Sequence, residues 1–280
     1  MTSSTQKRKN GTKATVKNKK TKTKKSKKTS KKALVCIVVI AFSAVLAVAL
    51  VFGAKEAKNE KKSYILNPPN KDVAWGIDVS SHNGEIDWEA VSAEADFAFV
   101  RVGYRGYTQG EINTDEQYAE NLSNANKYGV PVGVYFYSQA VNEQEAVEEA
   151  EFLIKKVKGF DISLPLVIDF EYATSKGSNT GRLWDAGLSK SERTSLINAF
   201  CERVAKAGYT PAVYASSYIY KSHIDAKKLG DYVYIWVADY NEDITYDGYY
   251  DIWQYSESGS CAGVGSKAVD TNYWYISNRQ

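Results

Sequence analysis

Histidine and cysteine are scarce in this chain of 280 residues, which has two histidines and three cysteines. Cys36 lies in an apolar run, while Cys201 and Cys261 are far apart in sequence and can either pair or stay free. No CxxC pair occurs, so the ligand spacing of a structural zinc site is absent, and three cysteines are too few for a disulfide scaffold. Because the only histidines are His82 and His223, we expect neither a metal nor a cofactor.

Acidic residues are missing from residues 1–32, where 13 lysines and Arg8 give a formal charge of +14. The other 248 residues carry 22 basic and 33 acidic side chains, a formal charge of −11. Tyrosine and tryptophan, which stack on bases in many nucleic-acid sites, occur only after residue 63. The net charge of +3 therefore describes neither part, and we expect a disordered basic tail over 1–32 and no nucleic-acid binding.

Charged residues are also missing from residues 33–53, a run of 21 residues whose only hydroxyl is Ser43. A helix of this length spans roughly 30 Å, the hydrocarbon thickness of a bilayer. The basic tail before it predicts a single-pass type II membrane protein, with the tail in the cytoplasm and the rest outside. A cleaved signal peptide is the alternative, although its apolar region is usually about 7–15 residues. Residues 54–73 are typical of a short polar stalk.

Residues 74–280 form the predicted outer domain, with 17 basic and 30 acidic side chains and a formal charge of −13. Apolar, β-rich runs alternate there with amphipathic segments. The runs lie at 75–79, 97–103, 131–138, 164–171, 211–216, 233–238, 251–255 and near 272–276. Strands that alternate with helices imply parallel pairing, so we predict an irregular (β/α) barrel of the TIM type, least regular in its last third.

Helix-capping patterns mark the starts of three predicted helices. Thr114 with Gln117, and Ser189 with Glu192, have the spacing of a capping box, in which the first side chain and the fourth bond each other's backbone. Asn142 precedes a segment with acids first and lysines last, the order that the helix dipole favours. These patterns predict helices that begin near residues 115, 143 and 190.

Carboxylates stand where several predicted strands end, and that end of a barrel is where catalytic groups lie. Asp169 and Glu171 are two residues apart, so they share a strand face with Cα atoms roughly 6.5 Å apart. Asp78, Asp239 and Asp270 lie at or near the ends of other runs. Crowded and partly buried acids raise one another's pKa, and one protonated with one ionised acid is what glycoside hydrolysis needs.

Two alternatives to a catalytic pair come from the same residues. The acids can be solvated, or they can pair with Arg101 or Arg105. Tyrosine and tryptophan in the strands suit the flat faces of sugar rings, but they can equally be core packing. The histidines are expected to be ordinary loop residues. No GxSxG, P-loop, HExxH or GxGxxG motif is present in the sequence.

The motifs of residues 74–280 resemble those of glycoside hydrolase family 25, the lysozymes or N-acetylmuramidases of the cellosyl and Chalaropsis types. They stand here as GIDVSSHNGEIDW (76–88), FAFVRVGYRG (97–106), GVPVGVYFYS (129–138), LPLVIDFEY (164–172), WVADYN (236–241), DIWQYS (251–256) and VDTNYW (269–274). Their order and spacing match the family's. The resemblance implies an irregular barrel that cleaves the β-1,4 bond from N-acetylmuramic acid to N-acetylglucosamine in peptidoglycan.

The resemblance also implies roles for individual residues. Glu171 is expected to be the general acid/base, Asp169 to orient or stabilise the substrate's acetamido group, and Asp78 and Asp270 to complete the acidic site. The nucleophile is left open between a carboxylate and the acetamido oxygen of the substrate. Substrate contacts are expected from Tyr104, Tyr137, Tyr214, Trp236, Asp239 and Gln254.

The predicted anchor sets this chain apart from members of the family that carry cell-wall-binding repeats after the catalytic domain. We therefore expect local remodelling of peptidoglycan close to the membrane, with other envelope proteins as possible partners. Two alternatives remain open: an inactive barrel that binds glycan or scaffolds an envelope complex, and a hydrolase of another acetamido-sugar polymer such as chitin.

Overall fold

The computed structural model describes residues 72–266 and 268–276. The predicted tail (1–32), the predicted span (33–53) and the predicted stalk up to residue 71 lie outside the described residues. Among those that are described, no helix combines the length and the apolar character that crossing a bilayer requires.

The described chain is a mixed α/β structure built on an eight-stranded barrel. Its strands are β1 (Val73–Val79), β2 (Phe97–Arg105), β3 (Ile112–Thr114), β4 (Val132–Ser138), β5 (Leu166–Phe170), β6 (Ala173–Ser175), β7 (Ser178–Thr180), β8 (Pro211–Ser216), β9 (Tyr234–Ala238), β10 (Ile252–Gly259) and β11 (Val269–Tyr275). Its α-helices are α1 (Trp88–Glu94), α2 (Tyr118–Lys127), α3 (Glu143–Lys156), α4 (Arg182–Asp185), α5 (Lys190–Lys206) and α6 (Ser217–Ser222). Short 3₁₀ helices lie at Ser81–Asn83 and Ala226–Lys228.

The barrel follows the order β1-β2-β4-β5-β8-β9-β10-β11 and closes where β11 pairs with β1. Pairing is parallel from β1 through to β10, but β11 is antiparallel to both of its neighbours. The prediction of parallel pairing is therefore wrong for the last strand. Only residues 260–268 connect β10 to β11, and a parallel crossover needs a dozen or more residues.

The last third of the barrel is irregular, as the sequence predicts. The one helical element between α6 and β9 in the described chain is the 3₁₀ helix Ala226–Lys228, and no α-helix separates β9, β10 and β11. Strand β10 also carries register shifts at Ser256 and Gly259. The helix that the sequence marks by acids first and lysines last, α3, lies in the earlier part of the chain.

Aromatic rings fill the barrel beneath the carboxyl ends of its parallel strands. Phe99 is buried between Trp236 and Trp274, with ring centroids 4.6 and 6.1 Å away. A Cβ atom at Gly133 would overlap the Phe99 ring, so this strand position requires glycine. The packed rings form a floor for the open end of the barrel, because Trp236 also lines the cleft above it.

Two of the three predicted helix starts are confirmed. The Asn142 side chain accepts a hydrogen bond from Glu145 N at 2.9 Å, and Ser189 with Glu192 forms a capping box. The capping box predicted for Thr114 and Gln117 is wrong, because Thr114 belongs to β3 and α2 begins at Tyr118 with no side-chain cap.

Asp115 takes over the turn that the capping box was expected to form. Its carboxylate accepts hydrogen bonds from Gln117 N at 3.0 Å and from Arg101 Nε at 2.8 Å. The two cysteines in the described part of the chain, Cys201 and Cys261, are both free and buried.

Candidate active site

A cleft of about 850 Å³ opens at the carboxyl ends of the parallel strands. Four acids line it: Asp78 near the end of β1, Asp169 near the end of β5, Glu171 just beyond β5, and Asp270 at the start of β11. The antiparallel course of β11 brings the first residues of that strand, and not its last, to the same end of the barrel. Four carboxyl groups from distant parts of the sequence thus converge in one cavity.

Asp78 and Asp270 lie directly opposite each other on neighbouring strands, and their side chains are hydrogen-bonded. Burial raises the pKa of Asp78 to about 6, against the lowering effect of hydrogen bonds from Asn272, Gln254 and Asp270. Burial, followed by the charge of Asp78, raises the pKa of Asp270 to about 8. Near neutral pH the pair therefore holds one proton, which Asp270 donates to the ionised Asp78.

Two amides hold the ionised member of this pair. The Nε2 of Gln254 and the Nδ2 of Asn272 donate to the same oxygen, Oδ2 of Asp78, at 2.9 and 2.8 Å. Both amides present nitrogen to the carboxylate because hydroxyl and indole donors occupy their oxygens, and an N–H or O–H donor bonds only to the oxygen of an amide.

Aromatic side chains supply those donors. The hydroxyls of Tyr214 and Tyr240 donate to Oε1 of Gln254 at 2.8 and 2.6 Å. The indole Nε1 of Trp236 donates to Oδ1 of Asn272 at 2.9 Å. Three aromatic residues therefore fix the orientation of both amides and, through them, the position of the carboxylate.

Asp169 and Glu171 occupy the centre of the cleft without a neutralising partner. Asp169 is buried, and its Oδ1 has no hydrogen-bond partner within the described part of the chain. Burial raises its pKa well above the ordinary range, and the charges of Glu171 and Asp78 add to this. Burial, then the charges of Asp78 and Glu257, raise the pKa of Glu171 to about 7. One carboxyl of this group can therefore carry a proton at neutral pH.

The two arginines that the sequence offers as partners are engaged elsewhere. Arg101 Nε lies 2.8 Å from Asp115, and Arg105 Nε lies 2.7 Å from Glu149. Arg101 also lines the cleft, and its charge lowers the pKa of Asp169 against the larger effect of burial. Among the described residues, neither strand-end acid forms an ion pair, so the alternative of a paired structural DxE does not hold.

Tyrosines form the walls above the acids. Tyr135 and Tyr137 both line the cleft, as expected for alternating residues on β4. Burial and then the charge of Glu171 raise the pKa of Tyr137, so its hydroxyl stays protonated and can donate. Tyr104 is 36% exposed at the rim, 5.6 Å from the Arg101 guanidinium, and its ring can stack on a sugar.

Two of the predicted substrate contacts have other partners here. Trp236 lines the cleft but is only 1% exposed. Asp239 is buried outside the cleft lining, where it accepts hydrogen bonds from the backbone and hydroxyl of Thr245, both at 2.7 Å, and from Asn241. Burial raises its pKa, but these hydrogen bonds outweigh that effect and lower it. Both residues hold the wall of the site, and direct contact with substrate stays a prediction.

The structure adds residues that sequence reasoning missed. Gln139 is completely buried just after β4, and its Nε2 donates to the backbone oxygen of Glu171 at 3.0 Å. Tyr240 is 48% exposed and binds Gln254, as described above. Tyr240 stands within the WVADYN motif, which could have found it, whereas Gln139 carries no signal beyond its place at a strand end.

Within the described part of the chain, neither histidine is hydrogen-bonded to the four cleft acids. His82 lies in the cleft wall, and His223 is bonded between two tyrosine hydroxyls. In the residues that the structure describes, no three His, Cys, Asp or Glu side chains are arranged to hold a metal ion. The raised pKa values of the carboxyl groups suit acid–base chemistry, and aromatic side chains border the cleft.

Comparisons with known proteins agree with this geometry. The model of the glycosyl hydrolases family 25 matches residues 77–264. Lysozyme M1 of Streptomyces globisporus is 26% identical over 217 residues, which cover 74% of this chain and 69% of that protein. The lysozyme of Streptomyces coelicolor is 25% identical with a TM-score of 0.57, over 72% of this chain and 91% of its own.

The modular autolysin LytC of Streptococcus pneumoniae, solved in complex with a synthetic peptidoglycan ligand, is 28% identical with a TM-score of 0.62. The match covers 72% of this chain and 47% of LytC, so the chain spans about half the length of that autolysin. The family model matches well over half of the chain and includes Asp78, Asp169 and Glu171. The chain therefore belongs to glycosyl hydrolase family 25, a family of lysozyme-type glycoside hydrolases.

Proposed function

We propose that this protein is a peptidoglycan muramidase that cleaves the β-1,4 bond between N-acetylmuramic acid and N-acetylglucosamine. The observation that carries the proposal is the convergence of Asp78, Asp169, Glu171 and Asp270 in one cleft, where none of them forms an ion pair within the described part of the chain and the two arginines of the lining are paired with other acids. Membership of family 25 and the likeness to lysozymes support the choice of substrate.

Glu171 is the proposed general acid. It is only partly buried, unlike Asp169, and it follows the end of β5, so its longer side chain reaches farther into the cleft. A pKa of about 7 lets it hold a proton at neutral pH and give it to the glycosidic oxygen. Gln139 fixes the backbone from which the side chain extends.

Asp169 is proposed to stabilise the positive charge that develops as the glycosidic bond breaks. Its unpartnered Oδ1 can accept a hydrogen bond from the acetamido N–H of the sugar or face the developing charge directly. Binding of a cationic transition state lowers the cost of ionising this buried carboxyl. The Asp78–Asp270 pair adds negative charge to the same cavity and keeps its own proton in place.

Mass spectrometry of digested peptidoglycan tests this proposal. The full chain in detergent is incubated with purified cell walls, and the fragments are reduced and analysed. A muramidase leaves N-acetylmuramic acid at the new reducing end, and we expect these products to disappear with Glu171→Gln. Products ending in N-acetylglucosamine, cleavage of chitin instead, or no cleavage by the wild type on several walls would each contradict the proposal.

We further propose that residues 33–53 anchor the enzyme in the cell membrane as a type II protein, with the barrel outside. The observation behind this is the charge of +14 directly before an uncharged run of 21 residues. Protease added to intact cells should remove the barrel and spare the tail. A soluble mature form with a new N-terminus near residues 54–58 would show a cleaved signal peptide instead. An anchored enzyme would act on wall close to the membrane, in local remodelling.

A further inference from the structure

A patch of aromatic and basic side chains borders the cleft, and the mechanism proposed above does not use it. We call it the rim patch, and it consists of Tyr172, Trp184, Lys190, Arg193, Tyr218 and His223. None of these six residues lines the cleft, but Tyr172 stands in the chain between Glu171 and the pair Ala173 and Thr174, which all do.

Tyr172 is the centre of the rim patch. Its ring centroid lies 5.1 Å from that of Trp184 and 5.4 Å from that of His223, and the Arg193 guanidinium lies 5.9 Å away. Tyr172 itself is buried, whereas Trp184 is 39% exposed and Tyr218 is 56% exposed. The buried ring thus supports two aromatic side chains that face solvent.

A chain of hydrogen bonds fixes the proton positions in this patch. Arg193, which can only donate, is hydrogen-bonded to the Tyr172 side chain, and the Tyr172 hydroxyl lies 2.9 Å from Nδ1 of His223. The hydroxyl accepts from the arginine, which leaves its own hydrogen for the imidazole, and we assign the bond to Nδ1 in that direction. Burial, then the charges of Arg193 and Lys190, lower the pKa of His223, so the ring is neutral and carries its proton on Nε2.

The exposed tyrosine receives the other end of this chain. The Nε2 of His223 lies 3.1 Å from the Tyr218 hydroxyl and donates to it, in the tautomer that the network assigns. Since that hydroxyl oxygen is an acceptor towards the histidine, its own hydrogen is left to donate to another partner. Tyr218 is thus an exposed donor at the surface.

The charge of the rim patch is opposite to that of the domain around it. Among the described residues, neither Lys190 nor Arg193 forms an ion pair, although residues 74–280 carry a formal charge of −13. The nearest acid in sequence, Glu192, is taken by the backbone N–H of Ser189 at 2.7 Å. Two cations, an oriented hydroxyl and an exposed indole together suit a ligand with carboxylates and apolar parts.

We propose that the rim patch binds the carboxylate-bearing peptide stem of peptidoglycan. The inference rests on the proposed function, because a muramic acid residue bound beside Glu171 would send its lactyl-linked peptide out of the cleft within reach of Tyr172 and its neighbours. Stem carboxylates accept from Tyr218 and face Lys190 and Arg193, while the alanine methyl packs on Trp184. The enzyme then selects glycan that still carries peptides over glycan from which they have been removed.

A binding measurement tests the patch without requiring catalysis. The probe is N-acetylmuramyl-L-alanyl-D-glutamate, and its diamide is the uncharged control ligand, each titrated into the full chain in detergent by calorimetry. We expect the acid to bind roughly tenfold more tightly than the diamide, the effect of one charge-assisted hydrogen bond. Tyr218→Phe and Arg193→Gln should remove most of this difference. Equal binding of acid and diamide by the wild type would overturn the proposal.

Matched variants guard against an effect of misfolding. The first control is Arg203→Gln, at a residue of the same helix, α5, but near its other end. The second is Tyr232→Phe, at a tyrosine that stands just before β9 and is 40% exposed. Both should bind the two ligands as the wild type does. The proposal fails if these controls lose the preference for the acid as completely as the rim-patch variants do.

An activity measurement separates this inference from the proposed function. Glycan strands with intact stems are compared with strands stripped of peptides by an amidase, and we expect Tyr218→Phe to lower kcat/KM roughly fivefold to tenfold on the first only. Cleavage without a preference for either substrate overturns the peptide site but leaves the muramidase standing. Preferential binding of the acid ligand without any cleavage would support the peptide site and overturn the proposed muramidase activity. A loss confined to walls that carry phosphate polymers would assign the patch to those polymers and overturn the peptide proposal.

Discussion

Two groups of buried carboxyls lie near the same end of the barrel, and they differ in what surrounds them. Glu149 is completely buried on α3, where Arg105 Nε at 2.7 Å and the Ser138 hydroxyl at 2.6 Å bond its two oxygens. Asp169 is buried nearly as deeply, but its Oδ1 has no partner among the described residues and acidic side chains surround it.

The difference separates a structural carboxyl from the one proposed to take part in catalysis. Arg105 also donates to the backbone oxygens of Gly110 and Glu145, so the Glu149 cluster ties β2, the following loop and α3 together. The cleft acids make no such ties to a cation, and their burial destabilises the fold until a substrate or a proton compensates it. Uncompensated charge at a cavity is typical of catalytic sites, whereas compensated charge is typical of a scaffold.

The largest expected effect comes from removing the proposed proton donor. Glu171→Gln keeps the shape of the side chain but cannot donate the acid's proton, and general acid catalysis is worth typically 10²–10⁴-fold, so we expect kcat to fall at least about 100-fold. Asp169→Asn should also be severe, because it removes the negative charge beside the reacting sugar. Rates are measured from reducing ends released from cell walls.

Glu202→Gln is the control for these variants. Glu202 lies on α5, and its only ion pair in the described structure is an exposed contact with Lys206 at 3.5 Å. It should keep wild-type activity. A well-folded Glu171→Gln that digests peptidoglycan at the wild-type rate would falsify the assignment of the acid.

Breaking the compensated cluster should instead cost stability. Arg105→Met leaves Glu149 buried without its cation, which typically costs about 3–5 kcal/mol. Burial already raises the pKa of Glu149 to about 7 against the effect of Arg105, and loss of the arginine raises it further. A group whose pKa is raised in the folded state stabilises that state at low pH, and this stabilisation is lost as the pH rises through the folded-state pKa. The loss of stability in Arg105→Met should therefore be larger at pH 8 than at pH 5.

Urea unfolding followed by tryptophan fluorescence measures this effect, because all six tryptophans lie in residues 74–280. Arg203→Met is the matched control: its contact with Glu151 at 3.1 Å is largely exposed and should be worth less than about 1 kcal/mol. An Arg105→Met variant as stable as this control at both pH values would contradict the comparison.

The uncompensated cluster should behave in the opposite sense. The pKa of Asp270 is raised from its ordinary value to about 8 by burial and the charge of Asp78. Its contribution to folding is therefore present below about pH 4 and is lost as the pH rises through 8. Asp270→Asn keeps a donor towards Asp78 but cannot ionise, so we expect a gain of about 1–3 kcal/mol at pH 8 and little at pH 4.

The same urea titrations at pH 4 and pH 8 check this prediction, with the exposed Asp243→Asn as control. A loss of stability at pH 8 would show that the ionised Asp270 has a cation or hydrogen-bond donors that compensate its charge. Activity should fall in this variant while stability rises, as expected for a site whose buried acids lower the free energy of unfolding.

The smallest expected effect concerns Glu257, an exposed acid whose charge reaches Glu171. Glu257 lies on the irregular part of β10, and its charge is the third cause of the raised pKa of Glu171, after burial and Asp78. The proton donor is lost above its pKa, so kcat/KM should fall above about pH 7. Glu257→Gln removes a negative charge, lowers that pKa and should move the alkaline limb to lower pH by less than about one unit. An alkaline limb that stays at the same pH or moves to higher pH would contradict this prediction.

The sequence predicted the barrel because its strands are nearly pure apolar runs, and an apolar run bounded by turns has few other structures available. Asp78, Asp169 and Glu171 were predicted as a group for the same reason, since each interrupts or follows such a run. The direction of β11 could not be predicted, because it depends on the length of a connection and not on the pattern of the strand.

Other features depend on side chains that meet only after folding. The Thr114 cap failed because Asp115, one position on, binds Arg101 from another strand, and local spacing does not contain that contact. The orientation of Gln254 follows from Tyr214 and Tyr240, which are 40 and 14 residues away in sequence. The hydrogen bonds that Asp239 accepts from Thr245, six residues on, were likewise not predictable from its place after a strand.

The reversal of β11 also decides where the two ends of the barrel domain lie. Ile276 N donates to the backbone oxygen of Asp72 at 3.0 Å, so the chain enters and leaves the barrel at one point. That point is just before β1, while Asp78 lies near the end of this strand, six residues farther on and roughly 20 Å away. The cleft therefore opens at the end of the barrel opposite to the one where Asp72 and Ile276 meet.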